Sequence, residues 1–131
     1  MFRGFLFLSC INTELWSEAL YFMIENDKIG FVWFPPNGIP LNSLYKKQIT
    51  QNIYLTKNNV SFRVNATLGL WRKEFFWQML YRDGNPWYFE WSATKLSRYS
   101  DFKAAFWNQE KNRVFNYEIN PESGLGIVRG K

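Results

Sequence analysis

Histidine is absent from this chain of 131 residues. Its absence removes the side chain that most often serves as a general base and binds metals at neutral pH. No Ser-His or Cys-His nucleophilic pair can form within one chain, and zinc would find one cysteine and scattered carboxylates. No two acids stand in an arrangement typical of a catalytic pair. We therefore predict that the protein is not an enzyme and has no catalytic residues, no metal and no cofactor.

Cysteine and long apolar runs are equally scarce. Cys10 is the only cysteine, so the chain can form no internal disulfide and nothing indicates an oxidising compartment. No apolar run approaches the roughly 20 residues needed to span a bilayer. The apolar part of residues 1–10 is shorter than the roughly 7–15 residues of a signal peptide core. We expect a first β-strand over residues 2–9 and a cytoplasmic location.

Carboxylates are missing from the long stretch between residues 28 and 73, which carries seven bases and no acid. Residues 1–27 carry one base and four acids, whereas residues 74–131 carry eight bases and seven acids, for a net charge of +5. Such an asymmetric distribution predicts an electropositive face on the folded domain.

Aromatic residues are abundant, at 21% of the chain within an apolar fraction of 47%. This composition is too apolar for disorder, and the length suits a single domain over residues 1–131. The aromatic residues are densest over 71–91, on either side of a tight-turn signal at residues 83–86. We predict an antiparallel hairpin over 71–91 at the centre of the core.

Periodicity predicts the remaining elements. Residues 12–26 change to a helical period, with Asn12 or Thr13 as the N-cap. Residues 101–111 fit both a helix and a strand, and we favour a strand. We also predict a strand over 28–34, an irregular loop over 35–40, a hairpin of strands 48–56 and 60–68, a strand over 113–119, and a tail over 121–131 whose pairing with the first strand is left open.

These elements predict a mainly β, β-rich α+β fold. The expected architecture is an antiparallel up-and-down meander of about seven or eight strands, curled into a barrel or half-barrel that hides its edges. One N-terminal helix would pack on this barrel.

The basic stretch interleaves cations with aromatic rings, a combination that suits binding of single-stranded nucleic acid. We predict a non-enzymatic protein that binds an anionic partner, nucleic acid being the first choice, through a face at about residues 45–73. The candidate binding residues are Tyr45, Lys46, Lys47, Tyr54, Lys57, Arg63, Trp71, Arg72 and Lys73. The same bases also suit a solubilising role in which lysines block pairing of exposed strand edges.

Two other functions remain open at this point. One is a small barrel that binds an apolar ligand in a pocket lined by Trp77, Trp87, Phe89 and Trp91, although such rings also suit ordinary core packing. The other is a protein-binding or inhibitor protein of viral or mobile-element origin, or a homodimer, because Trp, Tyr and Arg are enriched at binding hot spots.

Overall fold

The computed structural model describes residues 12–36, 38–60, 63–65, 67–79, 86–115, 117–119 and 126–128, and for 86–91, 117–119 and 126–128 it describes the backbone alone. The helices in this part of the chain are α1 (Thr13–Glu25), α2 (Lys73–Met79) and α3 (Pro86–Ser97). The strands are β1 (Ile29–Trp33), β2 (Tyr45–Gln48), β3 (Ile53–Thr56), β4 (Gly69–Trp71), β5 (Lys103–Trp107), β6 (Tyr117–Ile119) and β7 (Gly126–Val128). A short 3-10 turn at Leu41–Ser43 precedes β2.

Five strands form one mixed sheet in the order β2-β3-β5-β1-β4. Strands β1 and β5 run parallel at its centre, and every other neighbouring pair in the sheet is antiparallel. Strands β6 and β7 form a separate antiparallel pair. The described residues therefore build a mixed α+β fold.

The predicted barrel of about seven or eight up-and-down strands with a single helix does not hold for the described residues. Their five-stranded sheet is open, with β2 and β4 at its two edges, and three helices accompany it. The parallel β1–β5 pair excludes a simple meander, because parallel neighbours need a long crossover between them. Helices α2 and α3 lie in that connection.

The predicted N-terminal helix over 12–26 is confirmed as α1. The Asn12 side chain accepts a hydrogen bond from the Leu15 backbone N–H at 3.1 Å, which satisfies one of the free amides of the first turn. The helix then buries Ala19, Phe22 and Met23 against the sheet.

The two faces of the sheet are covered by different helices. Successive side chains of a strand point to opposite faces, so β5 is buried on both sides. Ala105 and Trp107 share a core with α1, whereas Phe106 packs with Tyr54 and Leu41 on the other side. A third cluster joins β1 to α2 and α3 through Phe31, Phe75, Met79 and Ala93, with Val64 from the connecting loop.

The predicted hairpin over 71–91 is wrong. Only its first residue belongs to a strand, and α2 and the first half of α3 follow. In α2, Phe75 and Met79 are buried while Trp77 between them is 63% exposed, which is a helical period. The fixed φ of Pro86 suits the first position of α3. Most of the predicted turn falls on residues 80–85, outside the described part.

The predicted hairpin of strands 48–56 and 60–68 is displaced along the chain. Strands β2 and β3 form the hairpin, and its turn occupies residues 49–52. The stretch 63–65 is irregular and buried at three successive positions, so the expected alternation is absent. Val64 bonds to the Thr94 hydroxyl of α3 through both its N–H and its C=O, instead of joining a strand ladder.

Three other segments predicted as strands each contain a strand of the structure. Residues 28–34 and 101–111 contain β1 and β5, and residues 113–119 contain the shorter β6. The tail strand β7 pairs with β6, while the expected strand over 2–9 lies outside the described residues. None of the described helices is long and apolar enough to cross a membrane.

Candidate functional site

The nine residues predicted to bind an anionic partner do not form one continuous surface. Residues 45–47 lie on edge strand β2, whereas residues 71–73 end β4 at the opposite edge and begin α2. Four strand-to-strand steps of about 4.8 Å separate these edges by roughly 19 Å. Lys57 and Arg63 lie in the connection between β3 and β4.

The guanidinium of Arg72 is hydrogen-bonded to backbone carbonyls at and just after the end of α1. Its Nε donates to the Ile29 carbonyl at 2.8 Å, and its Nη2 donates to the carbonyls of Asn26, at 2.9 Å, and of Met23. The last carbonyls of a helix lack intrahelical partners and carry partial negative charge, so a cation is favourable there. Arg72 therefore joins α1 to β4, and Lys73 is the exposed cation of this group.

The aromatic members of the predicted site are mostly packing residues. Trp71 is half-buried, with its ring centroid 4.4 Å from that of Phe31. Tyr54 is buried and stacks on Phe106 with an interplanar angle of 9°, and Tyr45 meets Tyr54 edge to face. These rings already have partners within the protein, so their faces are not presented to a base.

The Tyr54 hydroxyl has an unusual environment. Hydrogen bonding to Lys111 lowers the pKa of Tyr54 below 10.0; burial opposes this shift, and Asn108 reinforces it. The Lys111 Nζ lies 5.5 Å from the centre of the Tyr54 ring and donates to the Gln51 carbonyl at 3.2 Å. The positive charge of Lys111 therefore stabilises the phenolate form of Tyr54.

Arg63 lies inside the protein, although its predicted strand placed it on a polar face. The side chain is 4% exposed, and its Nη1 donates to the Ser97 hydroxyl at 2.7 Å. Burial lowers the pKa of Arg63, and the positive charge of Arg98 lowers it further. Arg63 is thus a buried cation that lies close to a second cation.

One of the four residues of the predicted apolar pocket, Trp77, is 63% exposed on α2. Residues 87, 89 and 91 belong to helix α3 and not to the predicted strand. Their side chains lie outside the described part of the structure.

Two exposed rings belong to the segments that meet where α2 approaches the turn after α3. Trp77 is 63% exposed and Tyr99 is 89% exposed. Gln78 follows Trp77 in the chain, and Ser100 follows Tyr99. The Ser100 hydroxyl donates to the Gln78 side-chain carbonyl at 2.9 Å and so joins the two segments. We call this area the Trp77–Tyr99 surface. It comprises Lys73, Trp77, Gln78, Arg98, Tyr99 and Ser100.

Positive charge exceeds negative charge around this surface. Arg98 donates from Nε to the Asn58 carbonyl at 2.7 Å, which brings the neighbouring Lys57 to the same area. The area has four bases and two acids. The bases are Lys57, Lys73, Arg98 and the buried Arg63, and the acids are Glu74 and Asp101. The Trp77–Tyr99 surface therefore combines open aromatic faces with a cationic surround.

Two grooves lie elsewhere on the described surface. One, of about 280 Å³, separates α1 from β4 and is lined by Leu20, Ile24, Leu70 and Trp71 among others. The other, of about 110 Å³, lies beyond the ends of β1 and β5 and is lined in part by Ile39 and Gln109. Both volumes are at or below the small end of typical ligand pockets.

Arg98 and Tyr99 are not among the residues predicted from the sequence, and the predicted strand placed Trp77 in the interior. One available signal was the four-residue spacing of Lys73 and Trp77, which places them together on a helix and away from Phe75. No sequence pattern links the segments of Trp77 and Tyr99, because the Gln78–Ser100 contact depends on the placement of α3 and of the turn after it.

Within the described residues, no group of three or more cysteine, aspartate or glutamate side chains is arranged to hold a metal ion. Comparison with protein-family models, curated proteins and solved structures finds no match for this chain.

Proposed function

We propose that this protein binds an anionic partner, nucleic acid being the first choice, through the Trp77–Tyr99 surface. This surface retains Lys73 and the neighbouring Lys57 from the basic stretch recognised in the sequence. It adds Arg98 and two exposed aromatic rings.

The observation that carries the proposal is the exposure of Trp77 and Tyr99 on either side of the Gln78–Ser100 hydrogen bond. Soluble proteins bury most of their large aromatic side chains, and this protein buries or half-buries many of its own. Two exposed rings whose chain neighbours are hydrogen-bonded to each other offer faces on which unpaired bases can stack.

The cations around the rings have a separate role in this proposal. Lysine and arginine bind phosphates without regard to sequence, and the released counterions make such binding weaken as salt rises. Lys73 lies one helical turn from Trp77, and Arg98 immediately precedes Tyr99, so each ring has a cation beside it.

Fluorescence-anisotropy titration with labelled single-stranded DNA, single-stranded RNA and duplex DNA, at two salt concentrations, tests the proposal. We expect preference for a single strand and steep loss of affinity with salt. Trp77→Ala and Tyr99→Ala should each weaken binding by roughly 5- to 150-fold, corresponding to stacking contributions of about 1–3 kcal/mol.

Tyr21→Ala is the matched control, because Tyr21 is also exposed, at 66%, but lies on α1 at the opposite face of the sheet. Its affinity should equal that of the unmodified protein. Equal losses in all three variants, or no binding at low salt, would refute the proposed surface.

A second candidate function is binding of a protein partner at the groove between α1 and β4. The favouring observation is the exposure of Leu20 and Ile24 on the rim of that groove. Exposed apolar patches commonly mark protein interfaces. Self-association in sedimentation-velocity measurements that Ile24→Asp abolishes would support this candidate, and a monomer at all concentrations would count against self-association.

A further inference from the structure

Arg63 is a buried cation whose hydrogen-bonding capacity is only partly used. It is 4% exposed, and Nη1 is the only guanidinium nitrogen with a hydrogen-bond partner among the described residues. The Nε is buried with no partner. An arginine side chain carries five N–H donors, and buried donors without partners are costly.

The charge of Arg63 is also poorly compensated. Its described partner is the neutral Ser97 hydroxyl, and the charged group that acts on it most closely is Arg98, another cation. Arginine stays protonated under ordinary conditions, so the site keeps two positive charges. The end of α3 supplies roughly half a negative charge, which offsets only part of them.

Buried charges in proteins are normally paired. The Nε and Nη2 of Arg63 form the planar edge that binds two oxygens of a carboxylate or phosphate at once, and this edge is unused. Arg98 is exposed and its Nε donates to the Asn58 carbonyl. It directly follows Ser97, the hydrogen-bond partner of Arg63, so a second cation lies near this edge.

We propose that Arg63 and Arg98 together bind one phosphate group at the C-terminal end of α3. The inference rests on the proposed function in that a backbone phosphate of a bound nucleic acid is the expected source, and free inorganic phosphate has the same chemistry. Because the Nε of Arg63 is buried, binding of phosphate at this edge requires the surrounding backbone to move.

The first test is thermal unfolding in sodium phosphate and in sodium chloride of equal ionic strength. Phosphate at ten times its dissociation constant should raise the melting temperature by roughly 4 °C. Arg63→Met should lose this rise while unfolding in chloride at the same temperature as the unmodified protein, or higher, because it removes an uncompensated buried cation. The Ser97 hydroxyl keeps its bond to the Thr94 carbonyl in that variant.

Arg98→Met is the second variant, because Arg98 is exposed and its loss does not open the core. It should reduce the phosphate-dependent rise. Lys103→Met removes the same charge from an exposed residue outside the site and should preserve the rise. A rise that is equal in all variants, or absent from the unmodified protein, would overturn the site. The site would also be refuted if Arg63→Met lowered the melting temperature by the same amount in phosphate and in chloride, because the phosphate-dependent rise would then be preserved.

Oligonucleotide titrations separate this inference from the proposed function. If single-stranded DNA binds and Arg63→Met lowers the salt slope by about 0.7, the site holds a backbone phosphate. If single-stranded DNA binds with an unchanged slope, the site is refuted while the proposed function stands. If no oligonucleotide binds but phosphate still stabilises only proteins that retain Arg63, the proposed function is refuted and the site takes free phosphate.

Discussion

Replacing Arg72 with methionine separates a structural role from a binding role at a residue where the sequence predicted binding. The substitution keeps much of the length of the side chain and removes the guanidinium. Three carbonyls then lose the guanidinium as a donor, those of Met23, Asn26 and Ile29, although the Asn26 carbonyl still accepts from the Ile29 backbone N–H. The contact between the end of α1 and the end of β4 loses the hydrogen bonds of the guanidinium.

The size of the effect follows from the number of bonds and their exposure. A hydrogen bond from a charged group contributes about 1.5–3 kcal/mol, so three would contribute at most about 9 kcal/mol. Arg72 is half-buried, and water can replace part of each bond after the substitution. We therefore expect a loss of about 3 kcal/mol in the free energy of unfolding, which corresponds to roughly 10 °C in melting temperature.

Equilibrium unfolding in urea, followed by circular dichroism, measures this loss. Lys73→Met is the matched control, because it removes the same charge at the next position from an exposed side chain. It should change the free energy of unfolding by less than about 0.5 kcal/mol. Arg72→Lys should lie between the two, since an ammonium group keeps the charge but cannot reach three carbonyls in the same geometry.

Equal stability of the Arg72→Met and Lys73→Met proteins would refute the structural role of Arg72. In that case the three carbonyls would gain nothing from the guanidinium that water does not also supply, and Arg72 would return to the list of candidate binding residues.

Three further predictions concern the core and one perturbed acid. Gly30→Ala should lower the free energy of unfolding by about 1–3 kcal/mol in urea titrations, because its Cβ would lie 2.4 Å from the Phe75 ring. Gln109→Leu should lower it by about 3 kcal/mol in thermal unfolding, because the buried side chain donates to one backbone carbonyl and accepts from two backbone amides. Lys111→Met should raise the pKa of Tyr54 in an NMR titration, because it removes the main cause of the lowered value. The stability linked to ionisation of Tyr54 is fully present above pH 10.0 and is lost as the pH falls through its lowered pKa.

Each of these predictions has a contrary outcome. A Gly30→Ala protein as stable as the original would mean that α2 moves away from β1 at no cost. A fully stable Gln109→Leu protein would mean that water reaches the loop amides, and an unchanged tyrosine titration would exclude Lys111 as the cause of the shift.

Local signals predicted well those elements that depend on neighbouring residues. The cap at Asn12 and the helical period after it determined α1, because these interactions lie within one or two turns. The strands within 28–34 and 101–111 followed from short β-prone runs with breakers beside them. The prediction of a hairpin over 71–91 failed because short runs rich in apolar residues fit both a strand and a helix, and their periodicity alone does not separate the two.

The candidate site depended much more on tertiary structure. The composition by itself established the absence of histidine and the lack of acids between residues 28 and 73, with the chemistry that each excludes or favours. Only the fold separated Lys46 from Lys73 by the width of a sheet, buried Arg63 beside α3 and joined the Trp77 and Tyr99 segments through Gln78 and Ser100. Composition reports which groups a chain carries, whereas their surroundings arise from contacts between segments distant in sequence. These contacts form because each helix and sheet must bury its apolar face against another element.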